Sequence, residues 1–133
     1  MKAIVVLLLA CGMAGAANAA PAAPVKCQPG TPAGELACLK PDLKELGDAI
    51  DRQLYQLSRK LRKNEHTEGT AANQQMKKSQ RDWLRYRDSY CALESLVSAN
   101  NADDWLKVRR SECEMRMTKD RLESLRDIEA TLE

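Results

Sequence analysis

Four cysteines, Cys27, Cys38, Cys91 and Cys113, remain once an apolar leader containing a fifth, Cys11, is set aside. An even set of four in a small exported domain reads as a two-disulfide framework, which removes many of the topologies open to a short chain. Pairing also takes the thiols out of the pool of catalytic nucleophiles. Thiol–disulfide exchange is disfavoured too, because it favours a C-x-x-C spacing and the sequence has none.

The leader is read as a signal peptide over residues 1–19. Lys2 supplies the positive start, Ala3 to Ala10 the apolar core, and Ala17-Asn18-Ala19 an A-x-A site with cleavage after Ala19. The apolar run is shorter than the roughly 20 residues that span a bilayer. A rival reading takes Leu8-Leu9-Ala10-Cys11 as a lipobox with Cys11 lipidated, but that leaves only ten residues of signal. The expectation is therefore a protein of the periplasm or a secreted one, without a transmembrane segment.

The remaining residues, 20–133, suffice for one domain with one core. That core is thin: the sequence is 30% charged, with no Phe, two Trp and three Tyr. Loop-closing disulfides of roughly 3 kcal/mol each would matter to a protein of this kind. Net charge is +2, or +1 once Lys2 is lost, with the two signs interspersed. No block of like charge suggests a nucleic-acid arm, and Arg59-Lys60 and Arg109-Arg110 read as solvated helix faces.

Residues 20–40 form an extended lead-in with a short helical turn, Thr31 capping it and Pro32 at its first position. Residues 41–133 form the helical bundle. Pro41 opens a first long helix, in which Leu43, Leu46, Ile50, Leu54, Leu57 and Leu61 recur at steps of three and four. The second helix carries the most regular stripe: Ala72, Met76, Ser79, Trp83, Tyr86, Tyr90, Leu93 and Val97, expected to face partner helices. After a turn at Ser98-Ala99-Asn100-Asn101, Asp103 or Asp104 caps a third helix. Its expected buried side is Leu106, Cys113, Met117, Leu122, Leu125, Ile128 and Leu132. Nothing reads as a strand. The predicted fold is all-α, a small antiparallel three-helix bundle stapled by two disulfides.

Helical rise then constrains the cysteines. Cys91 and Cys113 stand about 12–14 Å from the turn between their helices, at matching heights. A Cys91–Cys113 clasp is geometrically natural, and Cys27–Cys38 would staple the lead-in to the first turn. Spacing alone leaves the two other connectivities open.

The second helix contains Gln80, Trp83, Arg87, Asp88 and Cys91 in the pattern Q-x-x-W-x-x-x-R-D-x-x-C. With Leu43, Leu46 and Tyr55 before it, and Cys113, Thr118, Arg121 and Leu125 after it, this resembles the LprI-type lysozyme-inhibitor domain of exported bacterial proteins. The likeness covers about residues 27–133. It departs from the pattern at Gly47, where an Asp is expected; Asp48 is adjacent. The resemblance implies a helical, disulfide-linked envelope protein and, for the family's namesake, inhibition of host-type lysozyme.

Gln80, Trp83 and Arg87 share one helix face, so the motif reads first as a structural cluster: Trp83 in the core with the Arg stem over it, and Asp88 pairing with a basic side chain of another helix. The sharper reading is a binding patch of hot-spot residue types, Trp83, Tyr86 and Arg87. Heptad regularity favours the core for Trp83 and Tyr86. No inhibitory residue is carried over with the motif, so the contact surface is sought elsewhere. The 64–70 connection, with Glu65, His66 and Glu68, is the candidate partner-binding loop, against the blander reading of a solvated helix connection. Its three adjacent donors are weak evidence for a metal, and His66 has no nucleophile nearby, so no enzyme, cofactor or metal site is expected. Near-neutral charge offers little steering toward a strongly basic lysozyme. Two readings stand: an inhibitor of a lysozyme-type muramidase in the envelope, or a non-enzymatic structural or accessory protein binding another envelope component. Oligomeric state is not legible.

Overall fold

The chain was analysed as a computed structural model that describes residues 26–63, 69–98 and 103–132. Three helices account for nearly all of it: α1 (Pro32–Lys63), α2 (Gly69–Ser98) and α3 (Asp103–Ala130). Among the described residues there is no strand. α3 lies between the other two, packed most extensively along α1, whereas α1 and α2 meet least. The leader, its cleavage site and Cys11 lie outside the described residues, as do Glu65, His66 and Glu68.

The start of α1 is built by local chemistry. The Thr31 hydroxyl accepts from the Gly34 N–H at 3.2 Å, and the Glu35 carboxylate accepts from the Gly30 N–H at 3.0 Å. The first satisfies a backbone donor that a helix start leaves open, and the second ties the preceding turn to the first turn of the helix. Gly30 has φ +98°, the left-handed region that glycine adopts freely. At Gly34 a Cβ would run into the Gln28 carbonyl. The Cys27–Cys38 disulfide closes over this turn.

Here the expected helix start is corrected. Pro41 does not open α1 but lies inside it, and the turn at Thr31–Cys38 is continuous with the long helix. Pro41 forgoes the bond to the Ala37 carbonyl and disfavours helical geometry at Lys40. The cap and the disulfide hold the preceding turn in place, so the helix is anchored upstream of the proline.

The main core joins Ile50, Leu57 and Leu61 of α1 to Leu122 and Leu125 of α3, with Ala72 and Met76 of α2 packed against it. Buried Gln53 donates to the Glu129 carboxylate, which also takes Lys60 at 3.1 Å, so the polar group at the α1–α3 seam is satisfied. A second buried centre lies toward the other end of α2 and α3, at Cys91, Val108 and Cys113, none more than 1% exposed. There the Cys91–Cys113 disulfide bridges α2 to α3. Both disulfides have the expected pairing: Cys91–Cys113 as helical rise suggested, and Cys27–Cys38 as the staple of the lead-in.

Two burial expectations are overturned. Ile128 is 46% exposed and Val108 takes a core place in α3 that the periodic reading missed. More consequentially, the α2 stripe leaves the bundle after Trp83: Tyr86, Tyr90, Leu93 and Val97 are exposed. A strict 3.5-residue repeat drifts by about 20° per heptad on a straight helix. The disulfide turns Cys91 inward, and at 100° per residue Leu93 is then on the far side. The covered face of α2 instead runs through Gln80, Arg87, Cys91 and Ser95.

Candidate functional site

The residues of the sequence motif converge at the α2–α3 seam. Trp83 is half-buried with two guanidinium groups over its ring: Arg87, from its own helix, at 5.2 Å from the centroid, and Arg121, from α3, at 5.8 Å. Arg121 donates through Nε to Gln80 Oε1 (3.2 Å) and through Nη2 to Ser79 Oγ (3.0 Å). Burial pushes the Arg121 guanidinium below its ordinary pKa. It remains a cation, because even a lowered guanidinium stays far above neutral pH. Thr118 is buried and its hydroxyl donates back to the Glu114 carbonyl at 2.6 Å. Glu94 and Arg116 add a two-oxygen contact between α2 and α3, both at 2.7 Å, which holds the Glu94 carboxyl below its usual range.

Asp88 differs from expectation. It accepts from Arg87 Nε (3.0 Å) and Nη2 (2.8 Å), its neighbour in the chain, rather than from a base on another helix. The pair orients the Arg87 fork while the guanidinium lies over Trp83. Donors and acceptors in the cluster are thus turned toward one another, and its chemistry is that of a clasp between helices. Among the described residues no group of His, Cys, Asp and Glu is arranged to hold a metal ion. Among them, no helix is long and apolar enough to cross a membrane.

Beside the clasp, between α1 and α2, which meet least of the three helix pairs, a groove of about 410 Å³ runs between Leu54, Tyr55 and Ser58 on one side and Met76, Gln80 and Arg81 on the other. Its floor is apolar and its rim polar. Gln80 belongs to both features, so the Arg121 bond that fixes Gln80 also fixes a wall of the groove. Tyr55 stands at the edge, 62% exposed, with the Arg59 guanidinium 5.9 Å from its ring. Reading the sequence for apolar stripes passes over it, because Tyr55 lies off the Leu54, Leu57, Leu61 face. The available signal was an aromatic residue on an otherwise charged helix face, flanked by Arg52 and Arg59.

A family model described as lysozyme inhibitor LprI matches residues 27–125, spanning both disulfides, the Trp83 clasp and most of α3. No curated protein and no solved structure matches the chain. The matched segment covers well over half of the sequence, and the chain belongs to the LprI lysozyme-inhibitor family.

Proposed function

We propose that this protein is exported and inhibits a lysozyme-type muramidase in the cell envelope, binding it as a folded, disulfide-clamped body. The observation that carries the reading is the family match over residues 27–125. Two disulfides suit an oxidising compartment and keep the bundle rigid, which lowers the ordering cost of binding. The contact surface in this reading is the α1–α2 groove with Tyr55 at its edge. Among the residues that carry the family resemblance, Leu43, Leu46, Trp83, Thr118, Arg121 and Leu125 are buried or half-buried, whereas Tyr55 is 62% exposed and offers an aromatic ring to a partner. A rigid aromatic beside an arginine over an apolar floor is the composition of an interface hot spot.

The test adds the oxidised protein to cell-wall lysis assays with several lysozyme classes. Inhibition of at least one class is expected, and Tyr55→Ala should weaken it by about tenfold or more while leaving the circular dichroism unchanged. No inhibition at micromolar excess, together with no muramidase co-purifying from envelope extracts, would sink the inhibitor reading and favour an accessory envelope role. Full inhibition by Tyr55→Ala would remove the groove as the contact surface and leave the activity standing.

A further inference from the structure

The α2 stripe that leaves the bundle is an organised surface. Tyr86, Tyr90, Leu93 and Val97 are 57%, 38%, 62% and 72% exposed. The two tyrosine rings lie against each other with centroids 5.7 Å apart. These four occupy successive d, a, d and a positions of a heptad, the pattern of a helix seam with a partner.

We propose that this stripe is the contact between two copies of the protein, packed antiparallel along the C-terminal half of α2. Three observations favour a second copy. An antiparallel seam sets a against d, so Tyr90 meets Leu93 and Tyr86 meets Val97 of the other copy. Every layer then holds one ring and one aliphatic side chain, and the helices keep an even spacing; a parallel pair would taper from Tyr–Tyr layers to Val–Val. The same register brings Arg87, at an e position, opposite Glu94 of the second copy, and symmetry repeats the pair. Both side chains reach the surface, 21% and 32% exposed. Their intramolecular partners, Asp88 and Arg116, extend this into an alternating row of charges. Finally, covering the stripe and its flanking Leu96 on both copies removes roughly 1,000 Å² from water, the lower bound of a specific interface.

Sedimentation velocity of oxidised protein (residues 20–133, which contain the whole described fold) should show a concentration-dependent dimer up to about 100 μM, with micromolar affinity. Leu93→Glu and, independently, Val97→Lys should weaken it by about tenfold or more with helicity retained, whereas Ile128→Glu, an exposed apolar position on α3, should not. Under mild oxidation, copies carrying Tyr90→Cys should cross-link to copies carrying Leu93→Cys. A monomer at the highest concentration, or a dimer indifferent to both stripe variants, overturns the proposal. Cross-linking of Tyr90→Cys copies only to one another overturns the antiparallel order.

Discussion

Removing the Cys91–Cys113 link should destabilise the protein more than removing Cys27–Cys38, and by an amount the fold allows one to estimate. Loop-closure entropy for a separation of 22 residues corresponds to about 3.4 kcal/mol. For the 11-residue separation of the N-terminal pair it is about 2.8 kcal/mol. Surroundings widen the gap. Cys91 and Cys113 are at most 1% exposed, so truncation to Ala opens a void between α2 and α3 that costs roughly a further 1 kcal/mol. Cys27 is exposed and Cys38 only half-buried, at the end of the fold where the backbone frays first. The paired variant Cys91→Ala/Cys113→Ala should therefore lose about 4–5 kcal/mol, and Cys27→Ala/Cys38→Ala about 2–3 kcal/mol. Urea unfolding followed by far-UV circular dichroism reads this directly. With a slope of about 1–1.5 kcal/mol/M, the midpoint falls by about 3.5 M in the first case and about 2 M in the second. A Cys91→Ala/Cys113→Ala midpoint within about 0.5 M of the parent, or a larger drop for the N-terminal pair, would refute the reasoning.

Three further outcomes are expected. Gly47→Ala, on an exposed helical face with nothing within 4 Å of the added Cβ, should stabilise by about 0.5–1 kcal/mol, while Gly34→Ala should destabilise against the Gln28 carbonyl; denaturant midpoints in the opposite order would contradict both. Arg121→Ala, which strips Ser79 and Gln80 of their donor and uncovers Trp83, should cost about 1–3 kcal/mol in thermal melts. Arg121→Lys should recover only part of it, because a point charge cannot serve two acceptors while lying flat on the ring, and complete recovery would argue against the clasp. The Glu129 carboxyl is held below its ordinary 4.5 by the Gln53 amide and then Lys60. It therefore binds a proton less readily folded than unfolded. Its contribution is complete above pH 4.5 and fades as pH falls through the lowered folded value. Glu129→Gln should accordingly flatten the acid limb of a melting temperature versus pH curve; identical limbs would remove Glu129 from the account.

Much of this architecture is written in local chemistry. The 43-46-50-54-57-61 leucine–isoleucine stripe names the α1 face that meets α3, and Ile50, Leu57 and Leu61 are buried as it implies. Thr31 and Asp103 mark helix starts through their capping and first-turn chemistry. The α2 stripe misled because two signals in it conflict. Cys91 and Leu93 are 200° apart on a helix, so a face that buries the disulfide cannot also bury Leu93 and Val97. Resolving that conflict from sequence would have required giving the covalent link priority over the periodicity. The groove at Tyr55 was not legible for another reason: it lies between α1 and α2, whose sparse mutual contact residue types alone do not encode.

The sequence by itself determined the helical class, the number of helices and the matching heights of Cys91 and Cys113, while the pairing of the four cysteines came from the fold. The first three follow from spacing along one chain, since helical rise and periodicity are one-dimensional quantities. Tertiary structure alone decided the rotation of α2 about its own axis. That rotation sent Trp83 between two arginines and Tyr86, Tyr90, Leu93 and Val97 out to solvent. A periodic apolar stripe states that a helix can take a partner along one face. Whether the partner lies within the bundle depends on where α3 and the disulfide hold that helix.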